Sequence, residues 1–239
     1  MIEKHLMKLR ARDDVSVAEE AAIRDALGIV REVPAKTTII RAGDRLTVST
    51  MLLDGIMCRY KDLRSGERQI TELHVSGDFV DLHSFSLKRL DHNIMALTPC
   101  RIAPVPHEKL TGITEQHPHL ARLYWFTTNL DAAIHREWEV SLGRRSALSR
   151  TAHLLCELHV RLGVVGLVEN DAYDLPVTQI DLAECLGLTA VHVNRTLRVL
   201  REQGLVEFTK GRVTIGNLPG LRRAGEFDPS YLYLERERE

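Results

Sequence analysis

The sequence predicts an α+β protein, with an N-terminal antiparallel β-sandwich or barrel, a long helix, and a C-terminal winged helix-turn-helix. Three observations predict it. Glycines recur at 43, 55, 66 and 77, with short aliphatic segments between them. Apolar residues after Pro118 follow a 3-4 alternation. Residues 178–208 read as two helices about a sharp turn, followed by a basic hairpin.

The chain has 239 residues, 44% hydrophobic and 27% charged, enough for one large domain or two small ones and too apolar for disorder. No run approaches the ~18–20 apolar residues of a membrane span. The N-terminus shows no secretory signal. Cys58, Cys100, Cys156 and Cys185 lie far apart and form no CxxC, which argues for buried thiols in a reducing cytoplasm. The net charge of −1 excludes a globally basic nucleic-acid binder. Locally the picture changes. Residues 190–223 carry seven Lys/Arg against two acids, and residues 224–239 carry five acids against two arginines. A basic block followed by an acidic tail marks a candidate site.

Taken in order, residues 1–30 have helical spacing (Leu6, Leu9, Ala18, Ala22, Ile23, Ala26, Leu27), with Gly28 as the expected left-handed stop. Between 31 and 106, the segments 37–40, 46–53, 56–60, 69–75, 93–97 and 100–105 read as strands. The glycines between the earlier ones supply the positive φ that tight hairpins need. Leu120, Leu123, Thr127, Leu130, Ile134 and Trp138 then form a stripe suited to a coiled-coil seam, with Gly143 as a hinge. On this reading Leu123, Thr127, Leu130 and Ile134 meet a second copy of the chain. Ala147 to Leu162 gives one more amphipathic helix.

In the helix-turn-helix, Thr178 and Thr189 are placed to cap the two helices. Ala183 sits at the helix crossing, and Gly187 makes the turn. Leu182, Leu186, Leu188, Val193, Leu197 and Leu200 close a small core. The outward face of the second helix shows Ala190, Val191, His192, Asn194, Arg195 and Arg198, the composition of a helix that reads a major groove. Arg195 can give guanine O6 and N7 two hydrogen bonds. Lys210 and Arg212 sit at the tip of the following hairpin, placed to meet phosphates.

These motifs, with the Gly77-Asp78-Phe79 turn and LAECLGLTAVHVNRTLRVLREQGLVE as the most specific stretch, make residues 5–220 resemble the Crp/Fnr superfamily. The resemblance implies a cyclic-nucleotide-binding-like jelly roll (1–117), a dimerisation helix (118–143), a winged helix-turn-helix (144–220) and a tail (221–239). It also implies a homodimer that binds a palindrome in double-stranded DNA and contacts RNA polymerase. An effector would lie near Asp81, Leu82, His83, Lys88, Arg89, Leu90 and Asp91. Where nucleotide-binding members carry Arg-Ser, this chain has Leu90-Asp91. An acid there repels a phosphate, which argues against cyclic AMP. Lys88 and Arg89 lie just before, so a slip of one or two residues would restore a cation. Residues 1–30 hold no cysteine, which argues against an iron–sulfur cluster. The recognition helix keeps Arg195 but lacks the acid of the family's Glu-x-x-Ser-Arg, so a different half-site is expected.

His74, His83 and His92, with Cys100 nearby, leave a haem or metal sensor as the alternative; ordinary strand and turn histidines are the preferred reading. A cupin-like metal enzyme is the remote alternative. His117-Pro118-His119 falls after the barrel with no matching Glu, and no metal site or catalytic constellation is expected.

Overall fold

The computed structural model describes residues 1–234; Glu235, Glu237 and Glu239 of the acidic tail lie outside the described residues. The chain opens with two helices rather than one, α1 (Glu3–Arg12) and α2 (Val17–Ala26). Ser16 breaks the run. Its side chain accepts from Glu19 N while the Glu19 carboxylate accepts from Ser16 N, a capping box. Gly28 is not a left-handed stop. Its N–H donates to Pro104 O at 2.7 Å, and a Cβ would stand 3.0 Å from the proline ring. Close approach, not conformation, explains this glycine.

The roll follows. Its strands are β1 (Arg31–Val33), β2 (Thr38–Ile40), β3 (Val48–Asp54), β4 (Ile56–Asp62) and β5 (Arg68–Val75). The short helix α3 (Ser84–Leu87) comes next, then β6 (Asn93–Ala96) and β7 (Cys100–Pro106). They pair antiparallel in two sheets, ordered β1-β7-β3 and β2-β6-β4-β5. The four turn glycines all have φ near +90°, as their spacing predicts. Gly77 is doubly constrained, because a Cβ there would lie 2.7 Å from the backbone of Lys4.

The two faces of the larger sheet differ. Met57, Ile94 and Ala96 point into the roll, with Leu52, Val80 and Ile102 opposite. Ile56, Cys58, Tyr60, Ile70, Leu73 and Val75 point out and pack into one continuous core with the C-terminal domain.

That domain hangs from α4 (His107–Gln116) and α5 (Pro118–Arg144), and begins with α6 (Ala147–Val164). Helix α5 runs through Gly143; the break falls at Arg145–Ser146, where Ser146 caps α6. Then come β8 (Ala172–Asp174), α7 (Gln179–Leu186), α8 (Ala190–Glu202), β9 (Val206–Thr209), β10 (Arg212–Ile215) and α9 (Leu218–Ala224). A boundary at 221 falls inside α9. Leu221, Phe227 and Leu232 are buried, so residues 225–232 are a packed strap across α6 and α5. Tyr231 Oη donates to Glu157 at 2.8 Å, and the Tyr231 ring stacks on His153.

Buried ions pin α6 to the roll. Arg161 donates to Leu73 O (2.7 Å), Glu157 (3.0 Å) and Asp78 (3.2 Å). Lys8 from α1 also bonds Asp78.

The α5 stripe turns inward. Leu123 and Ile134 are buried in the chain's own core, and Thr127 and Leu130 are partly buried against α1 and the strap. The opposite face is exposed at Trp125 (70%), Asn129, Ala132, Arg136, Glu139 and Gly143. Apolar periodicity marks the face that needs cover, and here the same chain supplies it. Among the described residues no helix is long and apolar enough to cross a membrane.

Candidate nucleic-acid interface

Two capped helices build the interface. Thr178 accepts from Asp181 N at 3.1 Å, and the Asp181 carboxylate accepts from Thr178 N at 2.8 Å. Lys36 of the roll pairs with this same Asp181. Gly187 ends α7 at φ +59°, and Thr189 caps α8 through His192 N. Val193, Thr196 and Leu200 bury one side of α8, and Ala183 is buried beneath. The other side presents Val191, His192, Asn194, Arg195 and Arg198 to solvent, with Ala190 half-buried. Val191 is 77% exposed.

Arg195 has no ion-pair partner among the described residues. Arg198 stands 3.8 Å from Glu202, too loose to hold it. Asn194 Nδ2 donates to Gln179 Oε1 at 3.3 Å, so this amide is partly committed and brings Gln179 to the same surface. Gln179 and the exposed Ile180 were not expected there. A first-helix N-terminus beside the second helix is a tertiary relation that spacing alone does not reveal.

The hairpin turns on Lys210-Gly211, both at positive φ, as two-residue loops require. Lys210 is exposed at the tip. Arg212, expected to meet a phosphate, here pairs with Asp174 of β8 at 2.7 Å. This third strand, three residues long, stiffens the wing. The pair is half-exposed and so exchangeable for a phosphate.

The roll holds a second candidate site. A cavity of about 730 Å³ lies between its open end and α5, with His83, Asp91, His92, Arg59, Asp131 and His135 among its walls. Of the expected pocket residues, only His83 and Asp91 line it. Leu82 and Leu90 are packed in apolar cores, and Asp81 is buried under Thr50 N. Lys88 bonds Phe85 O, and Arg89 donates to Gly43 O. Asp91 is not a bare negative charge, since Lys61 pairs with it at 2.6 Å.

Arg59, unremarked in the sequence, is the centre of this site. It donates to Glu72 (2.6 Å), Asp131 (2.8 Å) and Val80 O (2.9 Å). An arginine at an inward position of β4 was the available signal. One guanidinium shared by two carboxylates leaves one of them poorly compensated. Burial and the Glu72 charge push Asp131 up to about 7, while burial is outweighed at Glu72, which Arg59 holds below the usual carboxylate range. Burial also pushes Asp81 up to about 7 and pulls His74 and His83 down, to about 4 and 3.

The rings of His83 and His92 lie 5.3 Å apart, and both Nε2 atoms are buried without a hydrogen-bond partner. His74 lies beneath, off the cavity wall, and Cys100 turns its thiol to the Thr98 and Ile56 carbonyls. Among the described residues no group of three or more His, Cys, Asp or Glu is arranged to hold a metal ion.

An antiparallel roll joined by a long helix to a winged helix with a solvent-facing basic helix defines a DNA-binding regulator with a sensor-like domain. Residues 30–117 match the cyclic nucleotide-binding domain family, and residues 149–224 match the Crp-like helix-turn-helix domain family. The chain is 30% identical to the nitrogen fixation regulation protein FixK of Bradyrhizobium diazoefficiens over 183 residues, 74% of each chain. It is 28% identical to the transcriptional activator protein FnrL of Cereibacter sphaeroides, over 79% of this chain and 77% of that one. The structure of FixK2 from Bradyrhizobium japonicum superposes with a TM-score of 0.75 at 24% identity, covering 82% of this chain and 96% of that one. The chain belongs to the Crp/Fnr superfamily and is a DNA-binding transcriptional regulator.

The raised Asp131 has a measurable consequence. Between about pH 4 and 7 the folded state holds a proton at this site that the unfolded state has lost, so the contribution fades as pH rises. Urea unfolding of wild type and Asp131→Asn at pH 4.5 and 7.5 checks this. The wild type is expected to lose stability relative to the variant as pH rises; a gap that widens in its favour contradicts the assignment.

Proposed function

We propose that two copies of the chain bind a palindrome in double-stranded DNA, each inserting α8 into the major groove of one half-site. Arg195, exposed on the solvent face of α8 and without an ion-pair partner among the described residues, carries this reading. Two-fold related recognition helices demand half-sites about one helical turn apart. Arg195 reads a base, and Lys210 holds a phosphate. Contact with RNA polymerase is the expected consequence for a chain whose relatives are named activators. Binding of this kind needs no chemistry, and the protein acts as a regulator in the cytoplasm, not as an enzyme.

The dimer forms through the exposed face of α5. Trp125, Asn129, Ala132, Arg136, Glu139 and Gly143 are spaced 4-3-4-3-4, the seam of a coiled coil. Ala132 and Gly143 let two helices approach.

An effector enters the cavity beneath α5. A cyclic nucleotide is disfavoured, because among the described residues the two Lys or Arg cations on the wall are both engaged, Arg59 with Glu72 and Asp131, and Lys61 with Asp91. Haem remains the runner-up, favoured by the two unpartnered imidazole Nε2 atoms of His83 and His92.

Selection of bound DNA from a random pool, followed by affinity measurements across salt, tests the reading. Arg195→Ala is expected to abolish preference for the selected palindrome while weak general binding persists. A bidentate guanine contact contributes roughly 1–3 kcal/mol of discrimination. Lys210→Ala should weaken selected and random DNA alike and reduce the salt slope by about one unit. The reverse pattern would remove α8 from the groove. For the seam, Ala132→Asp should turn a dimer into a monomer in sedimentation at micromolar concentration, by burying two like charges. An unaffected dimer would place the interface elsewhere.

A further inference from the structure

We propose that α1, α5, α6 and the C-terminal strap enclose a binding site for a small neutral aromatic molecule carrying one hydroxyl, of which phenol is the simplest. The site adjoins the cavity beneath the roll, and Asp131 lines both.

A cavity of about 80 Å³ lies here, with apolar walls from Leu9, Phe126, Leu130, Ile134, Val160 and Val164. The strap residues Leu232, Tyr233 and Leu234 close it. This strap lies beyond the residues that match the helix-turn-helix family, which end at 224.

The polar groups on the wall set the ligand class. Lys8 and Arg161 are charged, but both are satisfied by Asp78, and Arg161 also by Glu157. Arg12 also lines the cavity, with its guanidinium 4.9 Å over the Phe126 ring in a cation–π contact, and Asp131 on the same wall is held by Arg59. His5 is different. It is 3% exposed and lines the cavity; its Nδ1 bonds Gly77 O at 2.9 Å, and its Nε2 has no partner. A carbonyl only accepts, so Nδ1 carries the proton. Burial pulls the ring down to about 4, so it is neutral at physiological pH and Nε2 is a bare acceptor. An apolar cavity with one buried, unsatisfied acceptor suits an apolar molecule with one donor.

Size sets the route of entry. The closed volume is about half of the ~150 Å³ that holds benzene in an engineered protein cavity. A ring therefore enters as the end of the strap swings out. Tyr233 and Leu234, 52% and 38% exposed, border an open groove on the strap's other side, next to Phe126 and Leu130.

Calorimetry of the full chain with phenol and with toluene tests the proposal. Phenol should bind saturably and at least tenfold more tightly than toluene, and shift the His5 imidazole NMR signals. Val164→Phe, which fills the cavity, should abolish phenol binding while DNA binding persists. Equal affinities, no saturable phenol binding, unmoved His5 signals, or phenol binding unchanged in Val164→Phe would each overturn it. If Val164→Phe fails to fold, the phenol-to-toluene ratio and the His5 signals decide.

Discussion

The architecture depends on a sheet that is apolar on its outer face. In β4 and β5, Ile56, Cys58, Tyr60, Ile70, Leu73 and Val75 alternate outward and cannot face water together. Each such side chain contributes roughly 1.5–3 kcal/mol when buried. The winged helix supplies the cover, with α6 and α7 lying against this face, and Gln69 donates to the Glu184 carbonyl of α7. The DNA-reading head is therefore part of the roll's own core, and α8 faces solvent because α6 and α7 take up the contact.

The inner face of the same sheet is polar where it meets α5. Arg59, Glu72 and His74 occupy inward positions, and His74 stands 3.8 Å from Asp78, the residue that Arg161 of α6 also bonds. From Arg59 on the cavity wall, three contacts, through Glu72 and His74, lead to Asp78 and the ions that hold α6. Buried ion pairs of this kind do little for net stability but are sensitive to the loss of either partner.

Much of this was legible in the sequence because it was local. The turn glycines demand positive φ whatever surrounds them. The caps Thr178 and Thr189, the Gly187 turn and the outward face of α8 follow from helical geometry within thirty residues. What was hidden depends on distant partners. Leu123, Thr127, Leu130 and Ile134 form a true apolar stripe, but periodicity does not say whether a second chain or the strap covers it. Arg59 looked like one strand residue among others until Asp131, seventy-two positions away, came to face it. Asp174 likewise claims Arg212 across a strand too short to announce itself. The tail read only as acidic, yet Phe227, Tyr231 and Leu232 anchor it against α6 and α5.

The central claim is that the roll and the reading head share one core. Four native cysteines report on it, all buried: Cys100 inside the roll, Cys58 on its outer face, and Cys156 and Cys185 in the winged-helix domain. Pulsed thiol labelling across a urea gradient, read by mass spectrometry, follows each separately. A shared core predicts that all four become reactive at one midpoint. If Cys156 and Cys185 became reactive at lower urea while Cys100 stayed protected, the two domains would be independent units and the account would be contradicted.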